Sequence, residues 1–488
     1  MKTGYFVLAA TLFAGAVAAD SLKNARPNII FVMTDDQGSN LSFMGHPYIE
    51  TPHIDRFAKQ SLYFKEYHVS PSCAPTRAAL MSGRHEFRNG VTHTVHEREL
   101  MALSTTTFPQ LLQRAGYTTG IFGKWHLGDQ EAYLPVNRGF DEVLVHGAGG
   151  IGQAYSGSNF DFPPNRGKGS KAKYFDPVLL HNDTIVQTKG YCTDLFFNAA
   201  LGWIKKNHEA DKPYFAYISP NAPHSPLIAP KESYDRIAKR HPELKKVSGR
   251  YAMIERIDDN FGLMMKKLKE WGALDNTLII FTTDNGAPYR GPESNEFNAG
   301  YKTGKGSPYE GGVHVPAFWY WKGVLQGGKT VDALTAHIDL FKTFCDLAGA
   351  EIPADIQPLD GRSLLPLLEN PDAEWEKRQL FTHRGRWDKG AKPERDANWA
   401  VRTERWRLVG RELYDIAHDP YEDQDVSAQY PEVVEQLKNA YYKWWDETVP
   451  YMINEDRECE LEDPLGKRYY KQLEERGIPD WVPYDLDL

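Results

Sequence analysis

The chain has 488 residues and a formal net charge of −9 at pH 7, from 57 Lys and Arg against 66 Asp and Glu. Hydrophobic residues make up 41% and charged residues 25%, an ordinary globular composition with enough chain for one large domain and a smaller one. The negative balance argues against general binding to nucleic acids or anionic membranes. An anionic substrate would therefore need a local cluster of cations.

The first residues have the pattern of a secretory signal peptide. Lys2 gives a basic start, a short apolar run begins at Tyr5, and small residues end at Ala19. We predict a signal peptide over residues 1–19 and export of the protein to the periplasm or the medium. The run is short for a membrane anchor and no later segment is long and apolar enough, so we predict no transmembrane segment.

Four cysteines, at positions 73, 192, 345 and 459, are too few and too scattered for a disulfide framework. Cys73 precedes Pro75, which suits a first helical turn, and Arg77 lies one turn further on. A thiol at a helix start is in a position that favours negative charge, on itself or on a bound oxyanion. The other three cysteines are expected as buried free thiols, with one disulfide among them left open.

Two apolar runs end in oxygen ligands. Residues 28–34 suit a strand buried on both faces and lead into Asp35 and Asp36. Residues 278–283 repeat the pattern and lead into Asp284 and Asn285. Such side chains at the carboxyl ends of parallel strands would suit Ca²⁺ or Mg²⁺, although a plain turn stays open for the first of them.

Cationic and imidazole side chains follow other predicted elements. A strand over residues 117–123 delivers Lys124 and His126, which point the same way in extended chain. His224 follows another buried strand, and Lys305 lies in a glycine-rich stretch that allows close backbone approach to a ligand. The spacing of a phosphate-binding P-loop is absent, which disfavours nucleotide binding.

Alternating strands and helices predict an α/β fold. We expect a large mixed, mostly parallel sheet sandwiched by helices in an N-terminal catalytic domain over residues 27–370. Within it, residues 147–177 read as a long binding loop. Residues 371–450 predict a smaller C-terminal subdomain with an antiparallel sheet and a packed helix. The acidic, aromatic tail over residues 451–488 has no motif, and we expect it to wrap over the main domain.

Taken together, these motifs resemble the type I, formylglycine-dependent sulfatases of the alkaline phosphatase superfamily. Cys73-Ala74-Pro75-Thr76-Arg77 with Ser82-Gly83-Arg84 is similar to the first family signature, with threonine where serine is commoner. Residues 116–126 are similar to the second. The resemblance covers about residues 27–450, and its remaining motifs occur in the family's order: Asp35-Asp36, Ala222-Pro223-His224, Asp284-Asn285-Gly286 and Gly304-Lys305-Gly306.

The resemblance implies two cofactors. A formylglycine-generating maturation enzyme would oxidise Cys73 before folding to formylglycine (3-oxoalanine), whose hydrate is the family's nucleophile. A divalent cation, usually Ca²⁺ with Mg²⁺ as the alternative, would be held by Asp35, Asp36, Cys73, Asp284 and Asn285.

The resemblance also implies a role for each remaining site residue. Arg77 would orient and polarise the hydrate, with help from Lys124. His126 would take a proton from the second hydroxyl. His224 and Lys305 would bind the sulfate near the leaving oxygen, and one of them would protonate that oxygen. Lys124, His224 and Lys305 thus form the expected substrate-binding set.

The predicted function is an exported sulfatase acting on a sulfated carbohydrate in polysaccharide degradation. Two alternatives stay open: a metal-dependent phosphodiesterase or phosphonate monoester hydrolase of the same superfamily, and a catalytically silent carbohydrate-binding homologue. Loops and the second subdomain commonly supply specificity contacts. The residues predicted to line the pocket on that ground are His93, His96, Arg98, Arg138, Arg290, His314, His383, Arg384 and Trp387.

Overall fold

A computed structural model describes residues 21–167, 171–244, 246–291, 296–388, 390–455, 457, 463–484 and 486. The predicted signal peptide and Cys459 lie outside the described residues. Cys73, Cys192 and Cys345 are buried free thiols, as predicted for the latter two. Among the helices of the described part, none combines the length and apolar character needed to cross a bilayer.

The strands of the main sheet and of its small neighbour alternate with helices along the chain. The strands are β1 (Asn28–Thr34), β2 (Leu62–Phe64), β3 (Tyr67–His68), β4 (Thr118–Gly123), β5 (Glu142–Val145), β6 (Val178–His181), β7 (Thr184–Gln187), β8 (Tyr214–Ser219), β9 (Thr277–Thr283), β10 (Ala317–Trp321), β11 (Thr330–Val331) and β12 (Thr335–Ala336). The helices of the same part are α1 (Pro52–Gln60), α2 (Cys73–Ser82), α3 (Phe108–Arg114), α4 (Cys192–Glu209), α5 (Lys231–Arg240), α6 (Gly249–Glu270), α7 (Glu310–Val313), α8 (Leu340–Ala348) and α9 (Leu365–Glu369).

The main sheet has ten strands in the order β11-β2-β10-β9-β1-β8-β4-β5-β6-β7. The central strands β9, β1, β8, β4 and β5 are parallel, and antiparallel pairs join β10, β6 and β7 to them. This mixed sheet confirms the predicted fold class.

Helices cover both faces of the sheet, because alternate residues of its strands enter two separate cores. Phe31 of β1 packs with residues of α3 and α8 such as Leu111 and Phe344. Its neighbour Val32 faces the opposite core with Phe196 of α4 and Ile257 of α6. A strand that is apolar at every position therefore fits the middle of this three-layer structure.

The parallel strands bring their carboxyl ends to one edge of the sheet. The segment after β1 carries Asp35, the segment after β9 carries Asp284, and β4 leads into Lys124, which donates its backbone N–H to Ser219 at the end of β8. This register places the motif residues on one side of the molecule, where open α/β sheets bind ligands.

The C-terminal part is a four-stranded antiparallel sheet with one packed helix, as predicted. Its elements are β13 (Leu380–His383), β14 (Trp399–Arg402), β15 (Trp406–Val409), β16 (Glu412–Asp415) and α10 (Pro431–Thr448). Trp399 stacks on Tyr441 of α10 with ring centroids 4.1 Å apart. The domain boundaries 27–370, 371–450 and 451–488 stay predictions.

The tail contains one further helix, α11 (Pro464–Arg476), and packs along the main domain. Gln472 accepts the backbone N–H of Ile185, and the Trp481 N–H donates to the Gln187 carbonyl at the sheet edge. The tail therefore covers the outer strand β7, which agrees with the expectation that it wraps over the main domain.

Candidate active site

Helix α2 begins at Cys73, and its first two turns are buried throughout. The preceding Ser72 has extended backbone, and its carbonyl accepts the Thr76 N–H, which starts the helix. The Thr76 hydroxyl donates to the Ser70 carbonyl at 3.0 Å, so the threonine anchors the loop before the cysteine. Cys73 is only 2% exposed and lies against the cavity described below.

Arg77 lies one helical turn after Cys73 and is held by three different strand ends. Its Nη2 donates to Asp284 Oδ2 at 2.8 Å, and its Nη1 donates to Ser219 Oγ at 2.5 Å and to the Lys124 carbonyl at 3.0 Å. These contacts fix the guanidinium one helical turn from Cys73. Ser219 was missed by the sequence analysis, although its place at a strand end could have flagged it.

The two carboxylates after β1 each pair with a predicted cation. Lys124 Nζ lies 2.7 Å from Asp35 Oδ2, and Lys305 Nζ lies 2.6 Å from Asp36 Oδ1. Asn285 Nδ2 donates to the same Asp36 Oδ1 at 2.9 Å. The four strand-end residues and both lysines are thus brought together, as the motifs predicted.

The glycine-rich stretch around Lys305 is pressed onto the end of β9. A Cβ on Gly286 would clash with the Gly311 carbonyl oxygen, and a Cβ on Gly304 would clash with the Ala287 carbonyl oxygen. Only glycine permits this approach. The close packing delivers Lys305 to Asp36.

The donor set fits a hard divalent cation. Candidate ligand atoms of Asp35, Asp284 and Cys73 lie within 4.8 Å of one another. Asp35 Oδ1 and Asn285 Oδ1 are buried without a hydrogen-bond partner within the described part of the chain. Unpartnered buried oxygens are costly, and Ca²⁺ or Mg²⁺ would satisfy carboxylate and amide oxygens of this kind.

The electrostatics of the carboxylates differ with their partners. Burial raises the pKa of Asp35, although Lys124 opposes the shift. Burial and the neighbouring Asp35 charge raise the pKa of Asp284 to about 6. Burial would also raise the pKa of Asp36, but Lys305 and His224 hold it well below its usual range. Such divergent shifts in one buried cluster are typical of functional sites.

His126 has one ring nitrogen in use and one free. Its Nε2 lies 3.0 Å from the Thr94 carbonyl, to which it can only donate, while Nδ1 is buried and unpartnered within the described residues. Burial, followed by the Lys124 and Arg77 charges, holds the pKa of His126 well below its usual range. A neutral ring with a free lone pair on Nδ1 is suited to accept a proton.

His224 approaches the same site from the segment after β8. Its Nδ1 lies 2.6 Å from the Ser225 carbonyl, so Nδ1 carries the hydrogen and Nε2 lies free, 3.8 Å from Asp36 Oδ2. Burial, with the Lys305 charge, lowers the pKa of His224 to about 3. An approaching anion would raise it.

These side chains lie at the base of an open cavity of about 860 Å³. Cys73, His126, His224 and Lys305 line it, together with residues of the long loop predicted over 147–177. That loop packs closely on His126, because a Cβ on Gly149 would lie 2.6 Å from His126 Nε2. The other lining residues with polar side chains are Thr94, Gln153, Tyr155, Arg166, Ser225 and Arg386. None was singled out from the sequence, although Gln153, Tyr155 and Arg166 lie in the predicted binding loop.

None of the nine residues predicted for specificity is among the described residues that line this cavity, so that prediction is wrong. Several have structural partners instead. Arg98 pairs with Glu455, Arg138 donates to the Ala102 and Thr105 carbonyls, and His314 pairs with Glu310. Residue type alone does not show which way a side chain points.

Comparison with known proteins identifies the family. A sulfatase family model matches residues 27–350, about two thirds of the chain, and a model of the C-terminal part of N-sulphoglucosamine sulphohydrolase matches residues 304–447. The chain belongs to the sulfatase family. This confirms the resemblance to the formylglycine-dependent sulfatases of the alkaline phosphatase superfamily, and the protein is a sulfuric ester hydrolase.

Individual relatives agree with this placement. The N-acetylgalactosamine-6-sulfatase of Mus musculus is 32% identical over 373 residues, 74% of this chain and 69% of the relative. The crystal structure of Ps i-CgsB has a TM-score of 0.73 at 28% identity, covering 92% of this chain and 98% of that chain. A complex of Ps i-CgsB with k-i-k-neocarrahexaose has the same TM-score at 27% identity, with the same coverage.

The phosphonate monoester hydrolase of Agrobacterium radiobacter is similar as well. Its TM-score is 0.59 at 22% identity, covering 87% of this chain and 96% of that chain. This likeness shows a shared fold and no more.

Proposed function

We propose that this sulfatase is exported and removes sulfate from a sulfated carbohydrate, using formylglycine made from Cys73 and a bound Ca²⁺. The observation that carries the proposal is that the buried polar cluster beside the cavity contains atoms without a hydrogen-bond partner among the described residues. Asp35 Oδ1, Asn285 Oδ1 and His126 Nδ1 are all buried without a hydrogen-bond partner in the described part of the chain. The two oxygens would serve to hold the cation, and the imidazole nitrogen would accept a proton.

Asp35, Asp36, Asp284 and Asn285 would hold the cation, together with the modified residue 73. When bound, the cation and formylglycine would supply positive charge and an oxygen nucleophile in place of a thiol. Arg77 is fixed by Asp284 and Ser219 and would orient the nucleophile. A rigid cation at this position stabilises developing negative charge without reorganising.

The remaining residues would bind sulfate and move protons. Lys124, His224 and Lys305 surround the carboxylates and would bind the sulfate oxygens. With Nε2–H donated to the Thr94 carbonyl, His126 can accept a proton only at Nδ1. His224 and Lys305 would stand at the leaving oxygen, and one of them would donate the proton that the departing alkoxide needs.

The substrate class is inferred from the size of the cavity and from the relatives. A volume of about 860 Å³ is far larger than a sulfate group and suits a ligand of sugar size or more. The relatives include an N-acetylgalactosamine-6-sulfatase and a protein solved with a neocarrahexaose. Sulfated galactose-type sugars of polysaccharides are therefore the first candidates.

Maturation and export complete the proposal. With 2% exposure, Cys73 would not be reached by a modifying enzyme in the folded chain, so its oxidation must precede folding. Residues 1–19 would direct the chain to the periplasm or the medium.

Mass spectrometry of the Cys73 peptide tests the maturation. Protein produced with a formylglycine-generating enzyme should carry the aldehyde and be active, whereas protein produced without it should be folded and inactive. Full activity with an unmodified thiol would refute the proposed nucleophile.

A substrate panel tests the reaction. We expect sulfate release from sulfated galactose-type oligosaccharides, and much slower release of phosphate or phosphonate from matched esters of the same alcohols. The Cys73→Ala variant serves as the background control. Faster turnover of the phosphorus esters would favour the phosphonate hydrolase alternative.

A further inference from the structure

The walls of the cavity are more positive than cleavage of one sulfate requires. Its lining includes the cations Arg166, Lys305 and Arg386, with His126 and His224, and none of its described lining residues is an Asp or Glu. This contrasts with the net charge of −9 for the chain. Positive charge concentrated against the overall sign indicates an anionic ligand.

The cations of the wall differ in whether a carboxylate neutralises them. Lys305 pairs with Asp36 at 2.6 Å, and Arg166 pairs with Asp463 at 2.6 Å. Arg386 has no carboxylate partner among the described residues, and its Nε is buried without a hydrogen-bond partner there. Arg386 is thus the cation of the wall with its charge available for a ligand.

The backbone holds Arg386 in an uncommon conformation. Its φ is +63°, it follows Gly385 at +61°, and its N–H donates to the Thr92 carbonyl at 3.1 Å. Left-handed backbone at a residue with a side chain costs about 1 kcal/mol or more and is concentrated at functional positions. The turn points a residue of the C-terminal subdomain into the cavity of the N-terminal domain.

The Arg386 guanidinium lies close to Lys305, which is proposed to bind the sulfate that is cleaved, but Arg386 is not itself one of the proposed sulfate-binding residues. Arg386 Nη1 is 3.8 Å from the position that a Cβ on Gly306 would take, next to Lys305. The nearby His93 adds no charge, because burial and then the Arg386 charge lower its pKa to about 3. The free charge on this side of the cavity therefore comes from Arg386, since Arg384 of the same turn does not line it.

We propose that Arg386 binds a second anionic group of the substrate, a sulfate or carboxylate on the sugar that carries the scissile ester or on its neighbour. The inference rests on the proposed function and adds the requirement that the substrate be doubly charged. A guanidinium binds either oxyanion with two parallel hydrogen bonds, and burial on the cavity wall strengthens them.

Two matched substrate pairs test the inference with the mature enzyme. One pair is N-acetylgalactosamine 6-sulfate and its 4,6-disulfated form. The other is a chondroitin 6-sulfate disaccharide and its carboxyl-reduced form. The pair that wild type discriminates identifies the second group as sulfate or carboxylate. Wild type should favour the doubly charged member of at least one pair, in kcat/KM, by about tenfold or more.

Arg386→Gln should lower kcat/KM on that member about tenfold to a hundredfold and change the singly charged member less than about twofold. Arg386→Lys should restore part of the loss, because it keeps the charge without the planar fork. Arg384→Gln is the matched control, since it removes an equal charge two residues away without lining the cavity, and should affect both members alike.

Equal losses on both members, or no loss on either, would overturn the inference while leaving the sulfatase reaction intact. Sulfate release by wild type from none of the four compounds or the wider oligosaccharide panel would instead contradict the proposed function. The two failures are therefore distinguishable.

Discussion

Two buried clusters of this molecule combine acidic and cationic side chains with cysteine or histidine. They differ in whether polar atoms are left without a protein partner. In the active site, ligand atoms of Asp35, Cys73 and Asp284 lie within 4.8 Å of one another, and the same holds for Glu66, His68 and His314 between the main sheet and the C-terminal subdomain. By composition alone, either could bind a metal.

The second group, here called the interdomain cluster (Glu66, His68, Glu310, His314, Arg402, Arg407 and Glu422), neutralises itself. Glu310 lies 2.7 Å from Arg407 Nη1 and 2.8 Å from His314 Nδ1, and Glu66 lies 2.8 Å from Arg402 Nη2. Arg407 Nε lies 3.2 Å from Glu422 Oε1, so the two form an ion pair although the geometry does not make a hydrogen bond. Every charge here has a protein partner.

In the active site, by contrast, Asp35 Oδ1 and Asn285 Oδ1 have neither a hydrogen bond nor an ion pair within the described chain. Both clusters are largely buried, with Glu66 the partly exposed member, so burial and residue type do not separate a site from a structural bridge. The two oxygens that lack both kinds of partner separate them, because a buried polar atom of that kind is costly unless a ligand or water satisfies it. The following predictions test that distinction.

The largest effect is expected from Cys73→Ala. Removal of the proposed precursor of the nucleophile should lower the rate of sulfate release by at least about 10⁴-fold. The free energy of unfolding should change by about 1 kcal/mol or less, since the lost side chain is small. Sulfate release and urea unfolding measure the two quantities, and residual activity above one percent would contradict the assignment.

Glu310→Gln should produce the opposite pattern. His68 and Arg407 hold the pKa of Glu310 well below its usual range against the effect of burial, so the carboxylate is charged. Its loss removes one carboxylate partner from each of two buried arginines, Arg402 and Arg407. We expect destabilisation of about 3 kcal/mol with activity per folded molecule retained. Urea unfolding measures the loss, with the exposed Glu376→Gln as the matched control. An unchanged stability would show that this cluster does not bridge the subdomains.

Calcium should distinguish the clusters directly. At about 100 times its dissociation constant, Ca²⁺ should stabilise the wild-type fold by about 3 kcal/mol, and a chelator should reverse this together with activity. Asp36→Asn should weaken the thermal shift, and His314→Gln should leave it in place. A shift that disappears in the His314 variant instead would place the ion in the interdomain cluster.

The last prediction concerns the pH dependence that Glu422 gives to the stability of the fold. Burial raises its pKa from 4.5 to about 7, although Arg407 opposes the shift, so the folded chain holds a proton that the unfolded chain releases. This contribution to stability is present below about pH 4.5 and is lost as the pH rises through about 7. Relative to Glu422→Gln, the wild type should lose on the order of 3 kcal/mol over that range. Free energies of unfolding that change with pH in the same way in the two proteins would refute this prediction.

Much of the fold was predictable because its signals are local. The apolar runs before Asp35 and Asp284 each predict a strand buried on both faces. The carboxyl ends of neighbouring parallel strands then lie at one edge of the sheet. The family motifs also predicted that Cys73, Arg77 and Lys305 belong to one site. Each of these inferences depends on a few adjacent residues.

Only the tertiary structure decided the rest. The turn that points Arg386 into the cavity, the Ser219 hydroxyl on Arg77 and the pairing of Glu310 with Arg407 all join segments far apart in the chain. His314 shows the same limit, since the sequence suggested a pocket residue and packing made it part of an ion network. The sequence alone identified the side chains able to do the chemistry, because short motifs and strand or helix periodicity depend only on neighbouring residues. The fold decided which of them lack a partner, because that depends on long-range packing.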